Sequence, residues 1–275
     1  MSDLFYQYGF ASALGLALVV LVLMGGLLWH HGRWVAYHQR KGMAVPGTGR
    51  EVLWAELVDS VRLGVDYVRG LFRDGLRRPD EVRGPTVVCV HGYTQNGTNF
   101  VRIRQALEAE GRPTLAVSLW HRLAPVSWYL RRLELALERA IGLDPDGIDV
   151  VCHSMGGVLL RSVLAGRPDL AAQVRTVVTL GSPHRGTAAA RGIPWLPEVQ
   201  ALKRRSAFLA GLPSLSALVP QAVTVAGTLD TIVYPLASAL EEGAEHVVIP
   251  AGHAGLLTRP EAVAAVRWAL IHRAS

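Results

Sequence analysis

From Pro85 to the C-terminus, short unbroken apolar runs alternate with segments of helical spacing, and this alternation limits the fold more than any other feature of the chain. TVVCV (86–90), TLAVSL (114–119), IDVVCH (148–153), VRTVVTL (174–180), AVTVAG (222–227) and HVVIP (246–250) are too short for helices. They also lack the apolar–polar alternation of a strand with one wet face, so they read as strands buried on both sides. Helices are expected after the first strand to about Glu110, over 126–141, over 155–165, near 234–242 and over 260–272. The result is an α/β chain with a mostly parallel sheet and helices on both faces. No internal repeat is present.

Chemistry in such sheets gathers at the carboxyl ends of the strands. Four of those ends carry unusual residues. CHSMGG (152–157) follows a strand and opens a helix, the context of a nucleophile elbow that lifts the Ser154 hydroxyl above the sheet. Gly156 fills the second glycine position of G-x-S-x-G, and Cys152 stands at the first. The bland alternative is a serine capping a helix. HGYTQNGTNF (91–100) follows the strand at 86–90, and its His91–Gly92 pair lets the backbone turn amides inward. The N–H groups of Tyr93 and Met155 are candidate oxyanion donors. His91 reads as a structural ring held inside the loop.

GTLDTIV (227–233) puts Asp230 just past a strand, and AGHAGLL (251–257) does the same for His253. Either alone is an ordinary loop residue. Together they complete the order Ser154, Asp230, His253. His246 sits at the wrong end of a strand and His272 late in the last helix. His153 and His184 precede the acid.

The N-terminal third differs. Gly9 to Trp29 is uncharged, with Ser12 as its polar side chain, and these 21 residues reach roughly 30 Å as a helix, the thickness of a bilayer core. Phe5, Tyr6, Tyr8, Trp29, Trp34 and Tyr37 flank the run, as suits the headgroup level. A cleaved signal peptide would need a basic leader, and this one carries Asp3. A single-pass anchor over about 9–29 is therefore expected. Arg33, Arg40, Lys41 and Arg50 follow it, which places the large domain on the cytoplasmic side. Residues 42–50 form a Gly/Pro-rich linker. Over 51–72 apolar positions recur at Leu53, Trp54, Leu57, Val58, Val61, Val65, Val68 and Leu71, a stripe that packs on the domain or lies on a membrane surface. The expected organisation is an anchor over 1–41, linker and amphipathic helix over 42–84, and a catalytic domain over 85–275.

The net charge of +6 raises the question of nucleic acid, but no nucleic-acid motif accompanies it, and the basic residues cluster near the anchor and in 69–83. Attraction to anionic headgroups accounts for that placement. Two cysteines are too few for a disulfide scaffold.

Residues 85–275 resemble the α/β-hydrolase superfamily, specifically bacterial lipases and esterases and GPI inositol-deacylase-like lipases. VCVHGYTQNGTNF, VCHSMGGVLLRSVL, TLGSPHRGT (179–187), Asp230 and GHAGLL carry the resemblance. It implies a serine esterase: His253, oriented by Asp230, deprotonates Ser154, and water releases the acyl-enzyme. It implies no metal and no organic cofactor. His91, Gly92, His153, Gly156 and His184 shape the site, with His184 and Arg185 in a loop beside the nucleophile. The strands of Cys89 and Cys152 are neighbours in that fold, so their sulfurs can lie close. The segment from Arg185 to Pro220, with Trp195, Phe208 and several leucines, reads as an apolar cap suited to acyl chains. Alternatives are a thioesterase, acyltransferase or amidase on the same residues, or a silent membrane-bound binding protein.

Overall fold

The computed structural model describes residues 24–46, 49–69, 75–93, 95–119 and 125–271. Two helices come first, α1 (24–40) and α2 (Gly49–Arg69). The strands are β1 (Gly75–Arg77), β2 (Val87–Val90), β3 (Thr114–Val117), β4 (Ile148–His153), β5 (Val174–Leu180), β6 (Gln221–Gly227) and β7 (Glu245–Ile249), in the spatial order β1-β3-β2-β4-β5-β6-β7. All neighbours pair in parallel except β1 with β3. Edge strand β1 escapes the sequence reading because Gly75–Arg77 contains no apolar run.

Helices α3 (Val101–Ala109), α4 (Val126–Leu143), α5 (Met155–Gly166) and the short α6 (Pro168–Ala171) connect the first strands. The insertion between β5 and β6 holds α7 (Pro197–Ala201), α8 (Ala207–Ala210) and α9 (Leu215–Leu218), and the chain closes through α10 (Gly255–Thr258) and α11 (Pro260–Ile271). The helix expected near 234–242 is instead a single 3-10 turn at Leu236–Ser238. Pro235 opens it, and the Ser238 carbonyl accepts the Arg185 N–H from the insertion rather than continuing a helix.

Strand alternation divides the core into two layers, which is why β2 and β4 are buried along their whole length. Edge strand β7, expected to be buried on both sides, instead alternates and leaves Val248 exposed because no strand flanks its outer side. Val87, Cys89, Val151 and Val178 meet Ile103, Leu107 and Val266 on one face. Val88, Val90, Val150 and Cys152 meet Leu133, Leu137 and Leu160 on the other. The same register corrects the expectation about the thiols. Cys89 pairs with Val151 and Val90 with Cys152, so the two cysteines point to opposite faces of the sheet. Both are free and buried, and burial pushes the Cys89 thiol up to about 12 and that of Cys152 well above its usual value.

Helix α2 packs on the domain, but not through its expected stripe. Val52, Glu56, Asp59 and Asp66 are buried, while Trp54, Val61 and Val65 are exposed. Carboxylates win the inward face because partners wait there: Arg259 and Thr258 for Asp59, Arg102 for Asp66, and backbone amides for Glu56. Helix α1 also docks. Trp34, only 1% exposed, clusters with Val52, Ala188, Ala189 and Tyr234, and Tyr37 sets its ring 5.2 Å from that of Tyr234. Residues 9–23 of the expected membrane span lie outside the described residues. Among the described residues, no helix is long and apolar enough to cross a membrane.

Candidate active site

The chain leaves β2 outward to β3 and returns to β4 on the other side of β2. A crevice opens at such a switch point, between the carboxyl ends of the two strands. His91 follows β2 and Ser154 follows β4, so both flank it. Ser154 has φ 54° and ψ −127°, a left-handed backbone that an L-residue adopts under strain. Its side chain makes no capping bond to α5, which removes the helix-cap reading. The tight turn needs Gly156, where a Cβ would fall 2.5 Å from the Val90 carbonyl oxygen and 2.8 Å from that of His91. Cys152 at the first glycine position is tolerated because its side chain turns into the core beneath the sheet end.

Asp230 and His253 meet. His253 Nδ1 lies 2.8 Å from Asp230 Oδ2, while Asp230 Oδ1 accepts the N–H groups of Ile232 at 2.8 Å and Val233 at 2.7 Å. The carboxylate is thus oriented at both oxygens, and the imidazole carries its proton on Nδ1, leaving Nε2 free to accept one. Among the described residues the hydrogen bonds of His253 run to Asp230, Glu56 and His153 and none joins Ser154 Oγ, an arrangement that bound substrate can tighten. The neighbouring His153 ring lies 4.6 Å from that of His253, and its Nε2 bonds the His253 carbonyl at 3.1 Å.

The other rings are held neutral. His91 donates from Nδ1 to the Gly92 carbonyl at 2.7 Å and accepts the Leu119 N–H at Nε2, and burial pushes it down to about 4. Burial also pushes His153 well below its ordinary value. His184 sits beside Thr179 at 2.9 Å, brought down to about 3 by burial and then by Arg161 and Arg185. Its carbonyl accepts from Arg161, whose guanidinium also bonds the carbonyls of Leu212 and Pro213 and pairs with Glu241 at 3.1 Å. His184 therefore belongs to the buried hub that fastens the insertion to the body.

Two contributors have no motif to announce them. Gln95 accepts the Gly92 N–H at 2.9 Å and touches His153 Nδ1 at 2.9 Å, so it ties the loop after β2 to the elbow. The Gly92 amide is thereby occupied, and Tyr93 and Met155 remain the candidate oxyanion donors. Glu56 on α2 reaches the loops of Asp230 and His253.

His253 titrates above the ordinary histidine value of 6.5: burial opposes its charge, but the adjacent Asp230 carboxylate and then Glu56 outweigh it. The remaining facing groups are His153 and His30 of α1, both held neutral by burial. A base at His253 would have to be unprotonated to act. Hydrolysis should therefore rise with pH through a midpoint above 6.5 and fall away below it. Asp230→Asn should move the midpoint down as well as lowering the rate. A wild-type midpoint at or below 6.5 in the kcat/KM profile would show that His253 is not the titrating base.

Residues 86–227, from β2 through β6, match the palmitoyl protein thioesterase family model. Ser154 lies within the match, Asp230 lies just beyond it and His253 lies further on. No curated protein matches the chain in sequence. Among solved structures, the chain is similar to Aspergillus fumigatus lipase B, with TM-score 0.56 at 17% identity over 71% of this chain and 56% of the lipase. It is also similar to the Bacillus licheniformis lipase BlEst2 in mature form, with TM-score 0.55 at 17% identity over 70% of this chain and 96% of the lipase. The metagenomic carboxyl esterase MGS0156 gives TM-score 0.52 at 21% identity, over 64% of this chain and 67% of that one. At these identities the likenesses establish the α/β-hydrolase-like fold. With the family model spanning just over half of its length, the chain belongs to the palmitoyl protein thioesterase family of α/β-hydrolases.

Proposed function

We propose that the chain is a serine hydrolase that cleaves carboxylic esters with lipid-like acyl groups through an acyl-enzyme on Ser154. The observation that carries this reading is the Asp230–His253 pair at 2.8 Å, whose imidazole lies 4.6 Å from the ring of His153, the residue before a serine on a strained strand-to-helix turn. His253 Nε2 takes the Ser154 proton as Oγ attacks the acyl carbonyl, and the imidazolium formed is stabilised by Asp230. The N–H groups of Tyr93 and Met155, the latter at the positive end of α5, hold the oxyanion. The imidazolium returns its proton to the leaving alkoxide, and a water activated by the same His253 hydrolyses the acyl-enzyme.

A second reading, favoured by the family match, is thioester cleavage by the same steps, with a thiolate leaving in place of the alkoxide. The uncharged run over 9–29 supports anchoring at a bilayer, Arg33, Arg40, Lys41 and Arg50 after it favour a cytoplasmic side for the catalytic domain over 85–275, and the apolar insertion over about 185–220 suits acyl chains. A panel of p-nitrophenyl esters and acyl-CoA thioesters of graded chain length separates the readings. The ester reading expects kcat/KM on esters to rise with chain length and exceed that on thioesters of equal length. The reverse ratio selects the thioesterase. Activity on neither, with a folded protein, contradicts both.

A further inference from the structure

We propose that Glu56, a residue of α2 almost two hundred positions before the catalytic histidine, is a positioning residue for the Asp230–His253 pair. The proposal rests on the serine-hydrolase reading above. Glu56 is 2% exposed, and its Oε1 accepts three hydrogen bonds: from Thr231 N at 3.2 Å, from Thr231 Oγ1 at 3.1 Å and from His253 N at 3.0 Å. All three donors belong to the two loops that carry the acid and the base. One oxygen thus fixes the backbone next to Asp230 and the backbone of His253 itself, and so sets where the imidazole stands relative to Ser154.

The surroundings are shaped for this carboxylate. A Cβ at Gly252 would fall 2.5 Å from Glu56 Cδ, so the residue preceding His253 must lack one for the carboxylate to reach the loop. No Lys or Arg pairs with Glu56 among the described residues, so it is not a salt-bridge partner buried for docking. Docking of α2 is supplied one turn on by Asp59, which bonds Arg259 Nε at 2.7 Å and Thr258 Oγ1 at 3.3 Å. Burying a carboxylate with no cation paired to it is unfavourable unless hydrogen-bond donors are well placed. Glu56 faces Asp230 and His253, and His253 in turn faces His30 and His153. Burial and then the facing Asp230 carboxylate push the Glu56 carboxyl above its ordinary value, while the His253 and Thr231 amides and the His253 imidazolium favour its ionised form. In that form it acts on the base together with Asp230, and α2 is part of the active site although it precedes the matched residues 86–227.

The test uses the full chain, p-nitrophenyl acetate, and the variants Glu56→Gln, Glu56→Ala and Ser154→Ala, with folding checked by circular dichroism. Glu56→Ala removes the acceptor and should lower kcat by about 100-fold with KM within about threefold, because misplacement of a catalytic group by about 1 Å has this effect. Glu56→Gln keeps an acceptor oxygen and should recover most of that rate. It also removes a negative charge that favours the imidazolium, so the acid limb of its kcat/KM profile should move to lower pH, a shift that a purely structural role would not produce. An inactive Ser154→Ala alongside a folded Glu56→Ala with kcat within about threefold of wild type overturns the proposal and leaves the hydrolase reading standing. Should Glu56→Ala not fold, an unmoved acid limb in Glu56→Gln overturns it. An active Ser154→Ala removes the reading and the proposal with it.

Discussion

Ser154→Ala is expected to lower kcat on a soluble ester on the order of a millionfold, about 8 kcal/mol of transition-state stabilisation, while the protein stays folded. The loss is large because Cys152, two residues away, does not replace the nucleophile: it points into the core and burial drives its thiol further from ionisation. His253→Ala should lose nearly as much, since an undeprotonated serine hydroxyl is a poor nucleophile. The double variant should be little worse than either single one, because the two act as a unit. Losses that add fully would mean that Ser154 and His253 work in separate steps, and the assignment would fail.

The largest expected effect on stability lies where α1 docks on the domain. Trp34→Ala should destabilise the fold by about 3–5 kcal/mol in denaturant unfolding, the usual range for emptying a buried aromatic site. Trp34 fills the contact among α1, Val52 of α2, Ala188 and Ala189 of the insertion, and Tyr234. Tyr37, one turn along, meets Tyr234 edge-on and accepts from Arg204 of the insertion at 3.2 Å. Tyr234 closes the segment that begins at Asp230, so loosening α1 should also reduce activity at temperatures well below unfolding. A cost under about 1 kcal/mol would instead favour the domain boundary near residue 41 that the sequence suggests, with α1 a dispensable appendage.

The sheet is legible in the sequence because strands buried on both faces leave continuous apolar runs, and VVCV or IDVVCH cannot hide among polar residues. Ser154, Asp230 and His253 stand out for a related reason: each sits a few residues at most past such a run. The rest depends on partners distant in sequence. Three-residue β1 has no pattern of its own and exists by pairing with β3. The segment at 234–242 has helical spacing, yet Pro235 and the bond from Arg185 hold it as a single turn. In α2 the apolar repeat of Trp54, Val61 and Val65 is genuine but faces outward. Glu56 and Asp59 take the inner face because Thr231, His253 and Arg259 meet them there. A carboxylate interleaved in an apolar helix reads as a solvated charge until its partners are known. Gln95 is likewise an ordinary loop residue until Gly92 and His153 are brought to it.

The central claim is that Ser154 is an activated nucleophile, and covalent labelling tests it most directly. A fluorophosphonate probe, added to the full chain at a pH above the His253 midpoint and mapped by peptide mass spectrometry, should give one adduct, on Ser154. Labelling should be lost in Ser154→Ala and strongly slowed in His253→Ala. A folded protein that stays unlabelled, or carries the adduct on another residue, would contradict the account.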